Sequence, residues 1–157
     1  RSPCIAGDIP AANAAIAADA AAFCVVVSGR IAKTLAAQTT RIVDGTTKGG
    51  AVEQPGLAPV AAIQALMARQ GSRPNDFAAS EIMEAYAVQA IACVEGAGLD
   101  PAAVNPGGGA LARGHPIGAS GAINVVRLHH ELITRKGTGL AAIAAAGGIG
   151  SALLLEA

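Results

Sequence analysis

At 157 residues, 52% hydrophobic and 14% charged, the chain carries enough apolar mass for one folded domain and too little charge to remain disordered. Its 11 basic and 11 acidic side chains cancel to zero net charge and form no cluster, which argues against a nucleic-acid partner. Aromatic residues are only 2% and roughly a quarter of the chain is alanine, so thin, closely stacked layers are expected, with surfaces able to meet another protein.

The first apolar stretch, residues 11–27, contains Asn13 and Asp19 and lacks the basic start of a signal peptide. Within it the β-branched run to Val27 predicts a buried strand over residues 21–27, followed by a short helix over 30–38. A second strand is expected at Arg41-Ile42-Val43, then a polar loop over 44–54. Pro59 suits the first turn of a helix with Val60, Ile63, Leu66 and Met67 on one face, stopped by Gly71. A strand is expected within 76–82, a helix from about Glu84 to Gly96 or Gly98, and a short strand around Val104. The longest helix is placed at about 118–135, with Ala122, Val125, Val126, His129, Leu132 and Ile133 at helical spacing. Residues 140–155 would reach only about 24 Å as a helix, short of the roughly 30 Å hydrocarbon layer. Gly147-Gly148-Ile149-Gly150 interrupts them, so two antiparallel strands at one edge of a sheet are the better account. The alternation as a whole predicts an α/β fold, soluble and without a membrane span.

One stretch carries chemistry: Asn105-Pro106-Gly107-Gly108-Gly109-Ala110-Leu111-Ala112-Arg113-Gly114-His115-Pro116-Ile117-Gly118-Ala119-Ser120-Gly121. Loops this rich in glycine run the backbone where side chains would collide. Pro116 biases His115 away from helical dihedrals and can open the long helix. That places an imidazole at a helix N-terminus, where the dipole favours an anion or a neutral ring. A neutral imidazole can take a proton from a thiol.

Residues 105–121 resemble the second signature of the thiolase family, with its Gly-Gly, Gly-His-Pro and Ser-Gly elements in place. The resemblance extends over nearly the whole chain. Asp19-Ala20-Ala21-Ala22 resembles the family's Asp-Gly-Ala-Ala segment, residues 81–87 its Asn-Glu-Ala-Phe motif, and residues 139–150 its last glycine-rich signature. It implies the C-terminal half of a thiolase: a mixed five-stranded sheet with helices on both faces, part of a layered αβαβα fold. Residues 1–29 would be the last strand segment of the N-terminal half and residues 30–157 the C-terminal domain. It also implies an acyltransferase of the acetyl-CoA acetyltransferase or 3-ketoacyl-CoA thiolase type. Such an enzyme works on coenzyme A thioesters in lipid metabolism, with the thioester as substrate and no bound cofactor or metal.

The departures are as specific as the matches. His115 matches the family's activating histidine. The Asn of Asn-Glu-Ala-Phe is Met83, whose thioether donates no hydrogen bond, and the second catalytic Cys is Ala144. The coenzyme-contacting Ser falls at Ala15, with Gly114 and Pro116 as further coenzyme-side positions. The glycine turn at Gly147 and Gly148 implies a backbone oxyanion hole. The acyl-accepting Cys is absent, so the resemblance implies an N-terminal half on another chain or segment, within an oligomer.

Cys24 reads as strand core, Cys93 as helix core, and Cys4 lacks a helix start after it, so none replaces the nucleophile. Three irregularly spaced cysteines give neither a disulfide framework nor a zinc site, which suits a cytoplasmic setting. Adjacent His129 and His130 point about 100° apart and make no metal pair. The glycine turn lacks a dinucleotide fingerprint, and Arg113 reads as a structural ion pair. Three functions follow: the activating wall of an acyltransferase, a catalytically silent partner or scaffold subunit, or a fragment with no role of its own.

Overall fold

The structure is a computed structural model that describes residues 3–157. A small antiparallel ribbon opens it, β1 (Cys4–Ala6) and β2 (Ile9–Pro10), turning at Gly7 with φ 53°. One helical turn follows, α1 (Gly29–Ala32), with the Ser28 hydroxyl capping Ile31 N–H. Then come β3 (Arg41–Gly49), α2 (Ala58–Gln70), β4 (Phe77–Ile82) and α3 (Ala87–Ala97). The chain ends with a short α4 (Ala110–Arg113), α5 (Ser120–Arg135), β5 (Thr138–Ala145) and β6 (Ile149–Glu156).

The fold is α/β, as expected, but its main sheet has four strands rather than five, in the order β3-β6-β5-β4. β4 and β5 run parallel, while β5–β6 and β6–β3 are antiparallel. Val104 makes only an isolated bridge to Ser80. It lies between the 3-10 turn Pro101–Ala103 and Asn105, whose φ is 46°, so no ladder can extend from it. The glycine hairpin forms as predicted, with Ala145 opposite Ile149, yet it sits in the middle of the sheet. The expected polar loop after Val43 instead continues the strand to Gly49 and covers the free side of β6.

β6 divides two cores by its alternation. Ala152 and Leu154 face α2 and α3, packing with Ile63, Leu66 and Cys93. Leu153 and Leu155 face α5 and pack with Leu128 and Leu132. α2 ends at Gly71 and α3 at Gly98, both left-handed, as the sequence predicts. The inner face of α5 differs from the expected apolar stripe. Ser120, Asn124, Leu128 and Leu132 are buried, one every fourth residue, and two of these four are polar. A stripe drawn from hydrophobicity alone passes over them.

The predicted strand over residues 21–27 is absent. Phe23, Val25 and Val26 are largely exposed, and Cys24 is exposed rather than core. A β-branched run becomes a strand only where a neighbouring edge completes its hydrogen bonds, and among the described residues no strand pairs with it. Cys93, by contrast, is fully buried, its thiol pushed up by burial, and it donates to Gly56 O at 3.1 Å. No helix among the described residues is long and apolar enough to cross a membrane.

Candidate active site

Met83 and Ala144 lie at one end of the sheet, where β4 and β5 finish side by side, while the cleft beside His115 is lined by neither of them nor by Gly147 or Gly148. Met83 lies one residue past β4, is almost wholly buried, and donates its N–H to Ala142 O at 3.0 Å. Ala144 lies two residues further along β5, opposite Gly150. α5 starts at this same end. Gly121 lies against Ile143, whereas Leu128 and Leu132 reach back to Gly139 near the start of β5. The segment before α5 therefore delivers His115 to the end of the sheet that carries Met83 and Ala144.

His115 is gripped on both flanks. Its backbone N–H donates to Ile16 O at 2.7 Å, and it forms a parallel bridge with Ala17. Gly114 has φ 93°, and a Cβ there would come within 2.8 Å of Ala18 Cβ, so only glycine lets the 16–18 segment approach this closely. That segment acts as a strap, for Ala15 N–H also donates to Ala85 O at 3.0 Å and Ala14 bridges Tyr86. Ala15 thus lies beside the turn that follows Met83, two residues before the contact with His115. Pro116 does not open α5. Its carbonyl instead accepts from Ala119 N–H and Ser120 N–H, both at 2.9 Å, in a turn that leads into the helix.

The hydrogen bonds favour one tautomer of the ring, with Nδ1 protonated when Ser120 gives its proton to Pro116 O. Ser120 Oγ donates its single proton to Pro116 O at 3.0 Å and lies 2.8 Å from His115 Nδ1. With that proton committed, Oγ can only accept, so Nδ1 carries a hydrogen and Nε2 holds the free lone pair. Burial first, and then the charge of Arg113, push the ring below the ordinary histidine value of 6.5, which favours this neutral form. The ring borders an open cleft also lined by the strap continuing through Asp19 to Phe23 and by Ile117 and Ala119.

The glycine-rich loop is held by a carboxylate. Asn105 accepts from Ile82 N–H at 2.8 Å and donates to Ile82 O at 2.9 Å and to Glu84 Oε1 at 2.6 Å. Glu84 Oε2 accepts from Leu111 N–H at 3.0 Å, in the first turn of α4. A Cβ at Gly109 would overlap that carboxylate, which explains a glycine there. At the β5–β6 turn, Gly147 and Gly148 have φ 85° and 78°, and Gly148 O accepts from Gly50 N–H at 2.7 Å. Gly147 is exposed while Gly148 is buried beneath the loop after β3.

Sequence reasoning passed over Ser120, Asn105 and Asn124, each buried and each bonded to backbone. The signal available for Ser120 was its place in the Ser-Gly element five residues after His115. His129 is tied to the segment before β3, its Nδ1 lying 3.1 Å from Thr40 Oγ1. Among the described residues no group of three or more His, Cys, Asp or Glu side chains is placed to hold a metal.

A mixed α/β sheet, with a strapped histidine beyond the ends of its parallel strands β4 and β5, defines the structural class. Comparison with known proteins makes the class specific. Residues 36–157 match the family described as "Thiolase, C-terminal domain", and the chain belongs to the thiolase family. It is 40% identical over 153 residues to an acetyl-CoA acetyltransferase of Cupriavidus necator, covering 96% of this chain and 39% of that protein. It is 39% identical to a putative acetyl-CoA C-acetyltransferase of Bacillus subtilis, covering 96% of this chain and 42% of that one. The crystal structure of the Acat5 thiolase from Ascaris suum in complex with coenzyme A superposes with a TM-score of 0.83 at 33% identity, over 96% of this chain and 39% of that one. The dimeric peroxisomal thiolase of Saccharomyces cerevisiae gives 0.69 at 34% identity, over 74% and 30%. The chain spans about two fifths of the length of these curated relatives.

Proposed function

We propose that this chain supplies the activating wall of a thiolase-type acyltransferase that works on acyl-coenzyme A thioesters. The observation that carries the reading is the Pro116–Ser120–His115 chain, which leaves Nε2 as an unprotonated acceptor beside an open cleft. In the proposed step a cysteine thiol from an N-terminal half gives its proton to His115 Nε2. Its sulfur then forms a bond to the thioester carbonyl carbon, the bond from that carbon to the coenzyme sulfur breaks, and the coenzyme thiolate recovers the proton from Nε2. By resemblance, Met83 and Ala144 stand where a water-ordering amide and a second thiol would serve the condensation. The activity is therefore confined to acyl transfer or thioester cleavage. Coenzyme A enters as substrate, with Ala15, Gly114 and Pro116 on its side of the cleft and the Gly147–Gly148 backbone facing the carbonyl oxygen.

Contact with an N-terminal half would also account for the surface. A compact monomer of this mass exposes about 7,100 Å², whereas this chain exposes 8600 Å². The excess exceeds the roughly 800 Å² per partner of a standard interface. It includes Ile16, Phe23, Val25, Val26 and Ile117 around the cleft. Residues 1–29 are assigned on this basis to the sheet of the N-terminal half and residues 30–157 to the C-terminal domain, within an oligomer. Free, exposed Cys4 and Cys24 suit a reducing, cytoplasmic compartment and a role in lipid metabolism.

The test is reconstitution with a thiolase N-terminal half and an assay of acyl transfer to coenzyme A. His115→Ala should lower kcat by about 10²- to 10⁴-fold, the range of general-base catalysis; an unchanged rate removes the proposal. A second reading, a silent partner subunit, is favoured by the apolar side chains of Met83 and Ala144. Restoring Met83→Asn and Ala144→Cys together should bring back condensation if these two positions alone limit it. No gain would mean that these two positions are not what limits condensation.

A further inference from the structure

We propose that Arg113 is a positioning residue for His115, tying the turn that carries the imidazole to the ends of β4 and β5 and presenting the ring with a fixed positive charge. The inference rests on reading His115 as the base. Arg113 closes α4, two residues before the histidine, and its Nη2 donates to Asn124 Oδ1 at 3.2 Å. Asn124 is 2% exposed and donates in turn to Glu81 O at 3.4 Å and Ala142 O at 3.3 Å. The His115 turn is thereby held from a third side, in addition to the strap and Ser120.

Packing alone does not explain an arginine here. Its Nε is buried without a hydrogen-bond partner, and burial works against its charge. Glu81, which is fully buried and paired with Arg127 through Oε2 at 3.1 Å, and Glu84 offset that penalty only in part, since burial remains the larger influence on Arg113. A cation that gives up solvation without full compensation costs stability, and an apolar side chain of similar length avoids that cost. What arginine adds is a charge next to a ring that must stay neutral. The other charged groups near the ring are few. Asp19 lies on the facing strap, and the first turns of α5 bring none before Arg127. At the strand ends Glu81 pairs with Arg127 through Oε2 while its Oε1 has no hydrogen-bond partner, and Glu84 accepts from Asn105 and Leu111.

The test is an NMR pH titration of the His115 ring in the full chain, without any acyl donor. Histidine signals are assigned with His129→Asn and His130→Asn. Arg113→Gln keeps a donor for Asn124 but removes the charge, and Arg113→Lys keeps the charge. Arg113→Gln should move the His115 midpoint upward, while Arg113→Lys should leave it at the wild-type position. An unmoved midpoint in Arg113→Gln, or equal movement in both variants, would overturn the proposal. The titration needs no turnover, so it stands or falls separately from the acyl-transfer assay of His115→Ala.

Discussion

Ser120 Oγ faces His115 Nδ1 at 2.8 Å while giving its own proton to Pro116 O, so one hydroxyl decides which nitrogen of the ring is left bare. Ser120→Ala should release that choice. The Nδ1-protonated tautomer, read from ring ¹⁵N shifts, should give way to a mixture of both. The fold should lose only about 1 kcal/mol, the worth of an ordinary hydrogen bond. A tautomer population unchanged by the substitution would show that Ser120 does not set it.

Asn105 is the knot of the glycine-rich loop, bonded to both backbone groups of Ile82 and to Glu84. Asn105→Ala strands a buried N–H and a carbonyl, and should cost about 3 kcal/mol in urea unfolding. Glu84→Gln should also destabilise, because the carboxylate accepts from both Asn105 Nδ2 and Leu111 N–H, and an amide offers only one acceptor oxygen. Wild-type urea midpoints in both variants would contradict this account.

Glycines should sort by what surrounds them. A Cβ at Gly150 would run into the backbone of Ala58 and come within 2.5 Å of Pro59 N, so Gly150→Ala must displace the start of α2. A loss of about 2 kcal/mol or more is expected. Gly118 meets nothing within 4 Å, and Gly118→Ala should fall within about 0.5 kcal/mol of wild type. Thermal melts of the two variants settle the contrast, and equal losses would count against it.

The histidine contribution to stability should fall as pH drops below 6.5. His115 and His129 are both pushed below that ordinary value, mainly by burial. The unfolded chain therefore binds protons there more readily than the folded one, and the contribution present above 6.5 disappears as pH falls through the folded-state values. Urea unfolding at pH 8 and pH 5 should show the decline, and His129→Asn should remove part of it. A slope identical in wild type and variant would exclude His129 as a source.

How much of this was legible beforehand depended on whether the signal was local. Gly71 and Gly98 end their helices because a left-handed cap is a property of a few neighbouring residues, and Gly147-Gly148 makes its turn for the same reason. His115 was marked by Gly114 and Pro116 on either side. Strand 21–27 was misread because its β-branched run announces burial without naming the sheet that provides it. β3 was cut short after Val43 because Asp44, Thr46 and Lys48 look like loop residues until β6 pairs with them. The inner face of α5 was drawn wrongly because Ser120 and Asn124 are buried by their bonds rather than by apolarity. The strap was invisible because Ile16 acts through its carbonyl, and Arg113 read as a structural ion pair although its partner is the Asn124 amide.

The tight link between β5 and β6 makes the chain intolerant of a change in length there. Ala152 and Leu154 serve one core, Leu153 and Leu155 the other, and strand side chains alternate with a period of two. Adding a single amino acid to the hairpin would exchange the two sets, sending leucines against α2 where an alanine now fits and leaving gaps beside α5. Length variation among close sequences should therefore avoid this hairpin and collect in the polar stretch between β3 and α2.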